Sequence, residues 1–204
     1  MWPAELDELA LIGPIIAAMV ALFIAFLPSL RKWYNRPRLK LEFDNREPFC
    51  RHAMLLEPIK IGGKEYRPTE NAYWIRLRVV NKGRSVARGC EGKLVRIVDP
   101  ESGNEYADFD PVILHWAGYA IGSIDINKSE YEYLDVVFTR ANSPGKWFVN
   151  SIEEQPRGIR LDWPAGNYLL DITLYGRNFS PLSIRFRLVA SHEYDKIKLH
   201  RVEH

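Results

Sequence analysis

The sequence predicts a mainly β protein, an antiparallel β-sandwich preceded by one N-terminal transmembrane α-helix. Three observations carry that expectation. Residues 9–30 form a run of 22 without a single charge. Beyond Arg38, apolar and polar residues alternate in short runs, the period of a strand with one buried face. Gly, Pro, Asn and Asp interrupt those runs about every dozen residues, and no amphipathic helix pattern appears between them.

The helix comes first. At 1.5 Å rise per residue, the 22 uncharged residues span roughly 33 Å, enough for a hydrocarbon core of about 30 Å. Pro14 falls near the start, where a missing N–H costs least, and Pro28 near the exit, where the helix must soon end. A cleaved signal peptide needs a basic n-region and a shorter apolar core; here residues 1–8 carry Glu5, Asp7 and Glu8 and no base. On the far side stand Arg31, Lys32, Arg36, Arg38 and Lys40, with no acid among residues 31–40. Basic flanks stay on the cytoplasmic side, so the expected topology is a single-pass membrane protein, N-terminus outside, C-terminal domain cytoplasmic. Trp33 and Tyr34 suit the interfacial aromatic belt, and the basic cluster faces the lipid bilayer, the first expected partner. The organisation read from these signals is an acidic tail 1–8, a transmembrane helix 9–30, a basic juxtamembrane segment 31–38, a β-domain 39–190 and a polar tail 191–204.

The strands follow in order. Leu39, Leu41 and Phe43 alternate with Lys40, Glu42 and Asp44. Leu55, Ile59 and Ile61 lead to a hairpin turn at Gly62-Gly63. Ile75, Leu77 and Val79 alternate with Trp74, Arg76 and Arg78 before a break at Asn81-Lys82-Gly83. The run from Ala87 to Val98 slips parity around Gly89 and Gly92, which predicts a bulge, and Asp99 to Asn104 is a turn. Ser123–Asn127 and Leu134–Thr139 read as strands. Residues 140–160 read as a loop with an apolar island at Trp147-Phe148-Val149. After the turn Pro164–Asn167 come Tyr168–Tyr175 and Ile184–Leu188, and Ile197 and Leu199 suit one more short strand. Clean alternation favours antiparallel sheets.

Two stretches carry a resemblance. Trp74 to Gly83 followed by Ala87, and Pro164-Ala165-Gly166-Asn167-Tyr168 through Leu174, resemble immunoglobulin-like β-sandwiches of the CARDB type. The resemblance implies an immunoglobulin-like fold and a binding or spacer module rather than an enzyme.

Composition narrows the function classes. With the two membrane flanks set aside, residues 41–204 hold 23 basic and 23 acidic residues, so the pI of about 8.5 comes from the segment beside the membrane. A formally neutral domain argues against a nucleic-acid partner. Two cysteines, Cys50 and Cys90, make no disulfide framework; free thiols fit the cytoplasmic placement, with one bridge as the alternative.

Chemistry-bearing motifs are sparse. Cys50-x-His52 is the tightest soft-ligand pair, but a tetrahedral site would need Cys90 and His115 from afar, so no metal and no other cofactor is expected. There is no nucleophile elbow, glycine-rich dinucleotide fingerprint or phosphate loop, and no catalytic residue is assigned. Asp108-x-Asp110 lacks the Gly and distal Glu of a calcium loop. His192, His200 and His204 are dispersed. The feature that stands out is Trp74 on a strand face with Arg76 and Arg78, the composition of a protein-contact hot spot. The expected function is a membrane-tethered, non-enzymatic binding or scaffolding module recruiting a protein partner through Trp74, Arg76 and Arg78. Alternatives are an exported envelope domain, with Asn127-Lys128-Ser129 and Asn178-Phe179-Ser180 as sequons, or a small-ligand sensor or hydrolase using loops 108–122 and 140–160.

Overall fold

The computed structural model of the chain describes residues 4–58, 66–119, 122–152 and 160–202, without the side chains at 4–13, 15, 32, 56–58 and 66–68. The Gly62-Gly63 turn, the Lys32 side chain and His204 therefore lie outside the described residues. The chain divides into two compact units, residues 1–36 and 37–204.

The first unit is one helix, α1 (Ala4–Tyr34), which runs through Pro14 and Pro28. It takes up residues 4–8 of the expected acidic tail and the first residues of the basic segment. Leu22, Phe23 and Ile24 are each about 60% exposed. Consecutive helical residues point about 100° apart, so apolar side chains project from this stretch in every direction. Among the described residues no helix is long and apolar enough to cross a membrane.

The second unit is mainly β, as expected, and every strand pairing is antiparallel. Its strands are β1 (Leu39–Glu42), β2 (Cys50–Pro58), β3 (Tyr66–Asn81), β4 (Ala87–Val98), β5 (Val112–Ile113), β6 (His115–Trp116), β7 (Ile124–Ile126), β8 (Tyr131–Arg140), β9 (Lys146–Val149), β10 (Asp162–Pro164), β11 (Gly166–Tyr175), β12 (Leu182–Ala190) and β13 (Lys198–Arg201). The first sheet has seven strands: β1-β3-β8-β9-β10, with β2 also on β3 and β6 also on β8. The second has six: β13-β12-β11-β4-β5, with β7 also on β4. One difference from the sequence reading is the expected loop 140–160, whose apolar island is β9, an inner strand between β8 and β10. The short strand expected around Ile197 and Leu199 forms as β13 and completes the second sheet.

The two sheets share one core. Ile75, Leu77 and Val79 of β3 and Leu134 and Val136 of β8 are fully buried with Leu94 and Ile97 of β4 and Leu170, Ile172 and Leu174 of β11. The sheets are in close contact at Gly92 of β4, where an added Cβ would lie 2.4 Å from a Leu134 methyl on β8. A larger residue there would force the layers apart, which explains the glycine inside an otherwise apolar strand. Around one end of the core, Trp147 and Trp163 stack with centroids 5.9 Å apart, and Tyr168 packs edge-on to both.

Asn81, at the end of β3, ties the start of this unit together. Its side chain is wholly buried. Its Oδ1 accepts from the Arg38 and Gly83 N–H groups (3.3 and 3.0 Å), and its Nδ2 donates to the Ser85 and Ile126 carbonyls (2.8 and 3.0 Å). Gly83 is required next to it: a Cβ would sit 2.3 Å from the Arg38 nitrogen.

Candidate functional site

The alternation of β3 puts Ile75, Leu77 and Val79 into the core, so Trp74, Arg76 and Arg78 share the outer face of the seven-stranded sheet. What they meet there is decided by an irregularity in β8. Ile75 pairs with Val137 but Arg76 pairs with Asp135, so Val136 is an extra residue in the ladder. That bulge shifts the parity of β8, bringing Asp135 beside Arg76 and Phe138 beside Trp74 on one face although they are three residues apart. An aspartate inside the apolar run Leu134–Phe138 was the only sequence signal of this, and strand alternation alone does not reveal it.

Trp74, Arg76, Tyr133 and Asp135, with Arg51 on the neighbouring β2, line a concavity of about 440 Å3. Trp74 is half-buried and stacks on Phe138 (4.6 Å, 22°), which stacks in turn on Phe148 of β9. Arg140 caps both phenylalanines, 5.4 and 4.6 Å from their centroids. The indole is thus held from one side by an aromatic ladder, and its other contacts open on the concavity.

Arg76 Nε lies 3.3 Å from Asp135 Oδ1, and the guanidinium also sits over the Tyr133 ring. The pair is close but not aligned as a hydrogen bond: Arg76 Nε, Asp135 Oδ1 and also Trp74 Nε1 are buried with no hydrogen-bond partner. Asp135 is only 7% exposed. Burial pushes its carboxyl pKa up, against the opposing pull of Arg76, His115 and Arg51, and burial likewise pulls Arg76 down. His115 joins this group because β6 pairs it directly with Asp135.

Arg78 belongs elsewhere. It pairs with Glu42 at 2.7 Å and lies over the Phe49 and Tyr131 rings, in a second hollow of about 610 Å3 beside β1 and β13. Hydrogen bonds from Arg78 and Lys82 hold the Glu42 carboxyl down to about 2, with Lys40 adding to the effect. The structure therefore brings Trp74 and Arg76 together, adds Arg51, Tyr133 and Asp135, and separates Arg78. Of the basic residues that follow the apolar run, Arg36 stacks over Trp33 within the first unit, and Arg38 and Lys40 belong to the second.

The remaining candidates have structural partners. Cys50 and Cys90 are free, buried thiols, and burial raises both pKa values, Cys90 to about 12, which opposes a thiolate nucleophile. His52 packs against the Tyr73 and Tyr194 rings. Asp108 pairs with Arg160. His192 accepts through its carbonyl from Gly145 N–H, and His200 lines the second hollow. Both ends of the Asn178 amide are engaged, with Arg88 N–H and the Val86 carbonyl, whereas Asn127 donates to Glu130. No cluster of three or more metal-ligating side chains occurs among the described residues. Compared with models of known protein families, with curated proteins and with solved structures, the chain matches none of them.

Proposed function

We propose that this protein is a membrane-tethered, non-enzymatic recognition module that engages a protein partner on the outer face of its seven-stranded sheet. One observation carries the reading. Trp74, Arg76 and Tyr133, with the exposed Arg51 beside them, line an open concavity of about 440 Å3 on that face. An aromatic and two arginines at that surface match the composition of contact hot spots.

The tether belongs to the same reading. A charge-free run of 22 residues, apolar on all sides in helical form, suits hydrocarbon better than water, and five basic residues against none on its C-terminal flank favour a cytoplasmic domain. The immunoglobulin-like, CARDB-type assignment fits the buried Asn81 turn and the Gly166–Tyr175 hairpin strand, the two segments on which that resemblance rests.

A photo-reactive side chain at Met54, 48% exposed on the rim, tests the contact in the native cell. A discrete adduct is expected there and not from Tyr175 on the other sheet, and it disappears in the Trp74→Ala, Arg76→Ala variant. Equal adducts from both positions, or none from Met54, would overturn the proposal.

A further inference from the structure

We infer that two copies of this chain join through the free edge of β2, pairing antiparallel about Met54 so that their seven-stranded sheets run on as one. The inference stands apart from the recognition reading and uses a different surface, the backbone of an edge strand.

Among the described residues β2 pairs only with β3, and no strand lies on its other side. The Arg76 N–H donates to the Phe49 carbonyl (2.9 Å), which fixes the phase of that ladder. Arg51, Ala53 and Leu55 turn their backbone groups to β3, and His52, Met54 and Leu56 turn theirs outward. The irregularity between Leu55 and Leu56 comes from an extra residue of β3, Thr69, so β2 itself stays regular. The other edges are blunted. Asn45 covers β13, its side chain bonding both the N–H and the carbonyl of Leu199. β10 ends in Pro164, β1 is four residues long with Lys40 among them, and β5, β6 and β7 have only two or three. β2 has nine residues, and from His52 to Leu56 it carries neither Pro nor a fixed charge.

An uncovered edge accepts another strand, and the sequence of β2 selects its own copy. An antiparallel pair centred on Met54 sets His52 opposite Leu56, Met54 opposite Met54 and Leu56 opposite His52. Each of these pairs exchanges two bonds, about six in all, and every outward N–H and carbonyl of the three residues is met. Moving the centre by one residue sets an outward residue opposite Cys50, whose N–H is taken by the Arg46 carbonyl, or opposite Pro58, which has none. The register centred on Met54 also sets the exposed Arg51 of each copy opposite residue 57, a glutamate, of the other. Within its own chain residue 57 stands opposite Arg67, so the acid comes to lie between two bases. A strand of unrelated sequence could use the backbone groups alone; a second copy meets the backbone and the charges together.

The test uses the full chain in detergent micelles, with Met54→Cys cross-linked by a short bismaleimide while the buried Cys50 and Cys90 stay silent. A covalent dimer is expected from Met54→Cys and not from Ser180→Cys, an exposed site between β11 and β12. In the Met54→Cys background, Arg51→Glu alone and Glu57→Arg alone each set like charges opposite one another twice. Each is expected to lower the dimer yield at least about tenfold. An equal mixture of the two variants sets Glu opposite Arg at both positions and is expected to restore the dimer, which also shows that both variants fold. No dimer from Met54→Cys, a yield indifferent to either reversal, a mixture no better than its components, or equal cross-linking from Ser180→Cys would each overturn the inference. The recognition reading fails separately: its adduct carries a partner of another mass and depends on Trp74 and Arg76, whereas a photo-adduct with a second copy has twice the chain's mass and survives Trp74→Ala, Arg76→Ala.

Discussion

Asn81 shows how much one side chain can organise. It is wholly buried, and its amide meets four backbone groups on three separate segments: Arg38, the Gly83–Ser85 turn and Ile126 of β7. Asn81→Ala removes the side-chain partner of all four backbone groups. It is expected to lower unfolding stability by about 3 kcal/mol, measured by denaturant titration. Asn81→Asp should not rescue it, because a carboxylate cannot donate to the Ser85 and Ile126 carbonyls. The sequence marks this residue as a turn, since Asn-Lys-Gly after an alternating strand is turn chemistry. Its burial was illegible, because the partners at 38 and 126 are distant in sequence. Asp135 was hidden for the same reason: its position beside Arg76 depends on an extra residue in β8 that only the pairing reveals.

At the level of elements, β1 is the most exposed to pH. Its Glu42 binds Arg78, Lys40 and Lys82, bonds that require the carboxylate. The folded pKa, about 2, lies below the ordinary value of 4.5. A depressed carboxylate contributes stability that is complete above the unfolded value and is lost as pH falls through the folded one. Acid titration of stability is therefore expected to steepen between pH about 4.5 and about 2, and Glu42→Gln should flatten that segment while leaving the denaturant slope unchanged. Strand existence was largely legible in the sequence, because β1, β3, β11 and β12 alternate openly. β9 was not: a four-residue strand flanked by Gly and Pro carries a turn signal stronger than its own period. The two-residue β5 and β6 are too short to have a period at all.

For the whole molecule, the proposed anchor makes its own prediction. The chain is expected to resist extraction from membranes by alkaline carbonate. A cysteine introduced at exposed Ser180 should react with an impermeant maleimide only after permeabilisation, the buried native thiols staying silent until unfolding. Labelling of intact cells would place the domain on the opposite side. If the N-terminal segment is held and a partner is seated over Trp74, any pull between them enters the domain at residue 38. There it meets the Asn81 amide, the Lys82 N–H bonded to the Arg38 carbonyl at 2.8 Å, and the β1–β3 ladder together. Traction is then carried by bonds loaded side by side along β3, the same strand that presents Trp74 and Arg76. The grip on the partner and the grip on the anchor share one mechanical member, and β3 should be the last strand of the first sheet to yield.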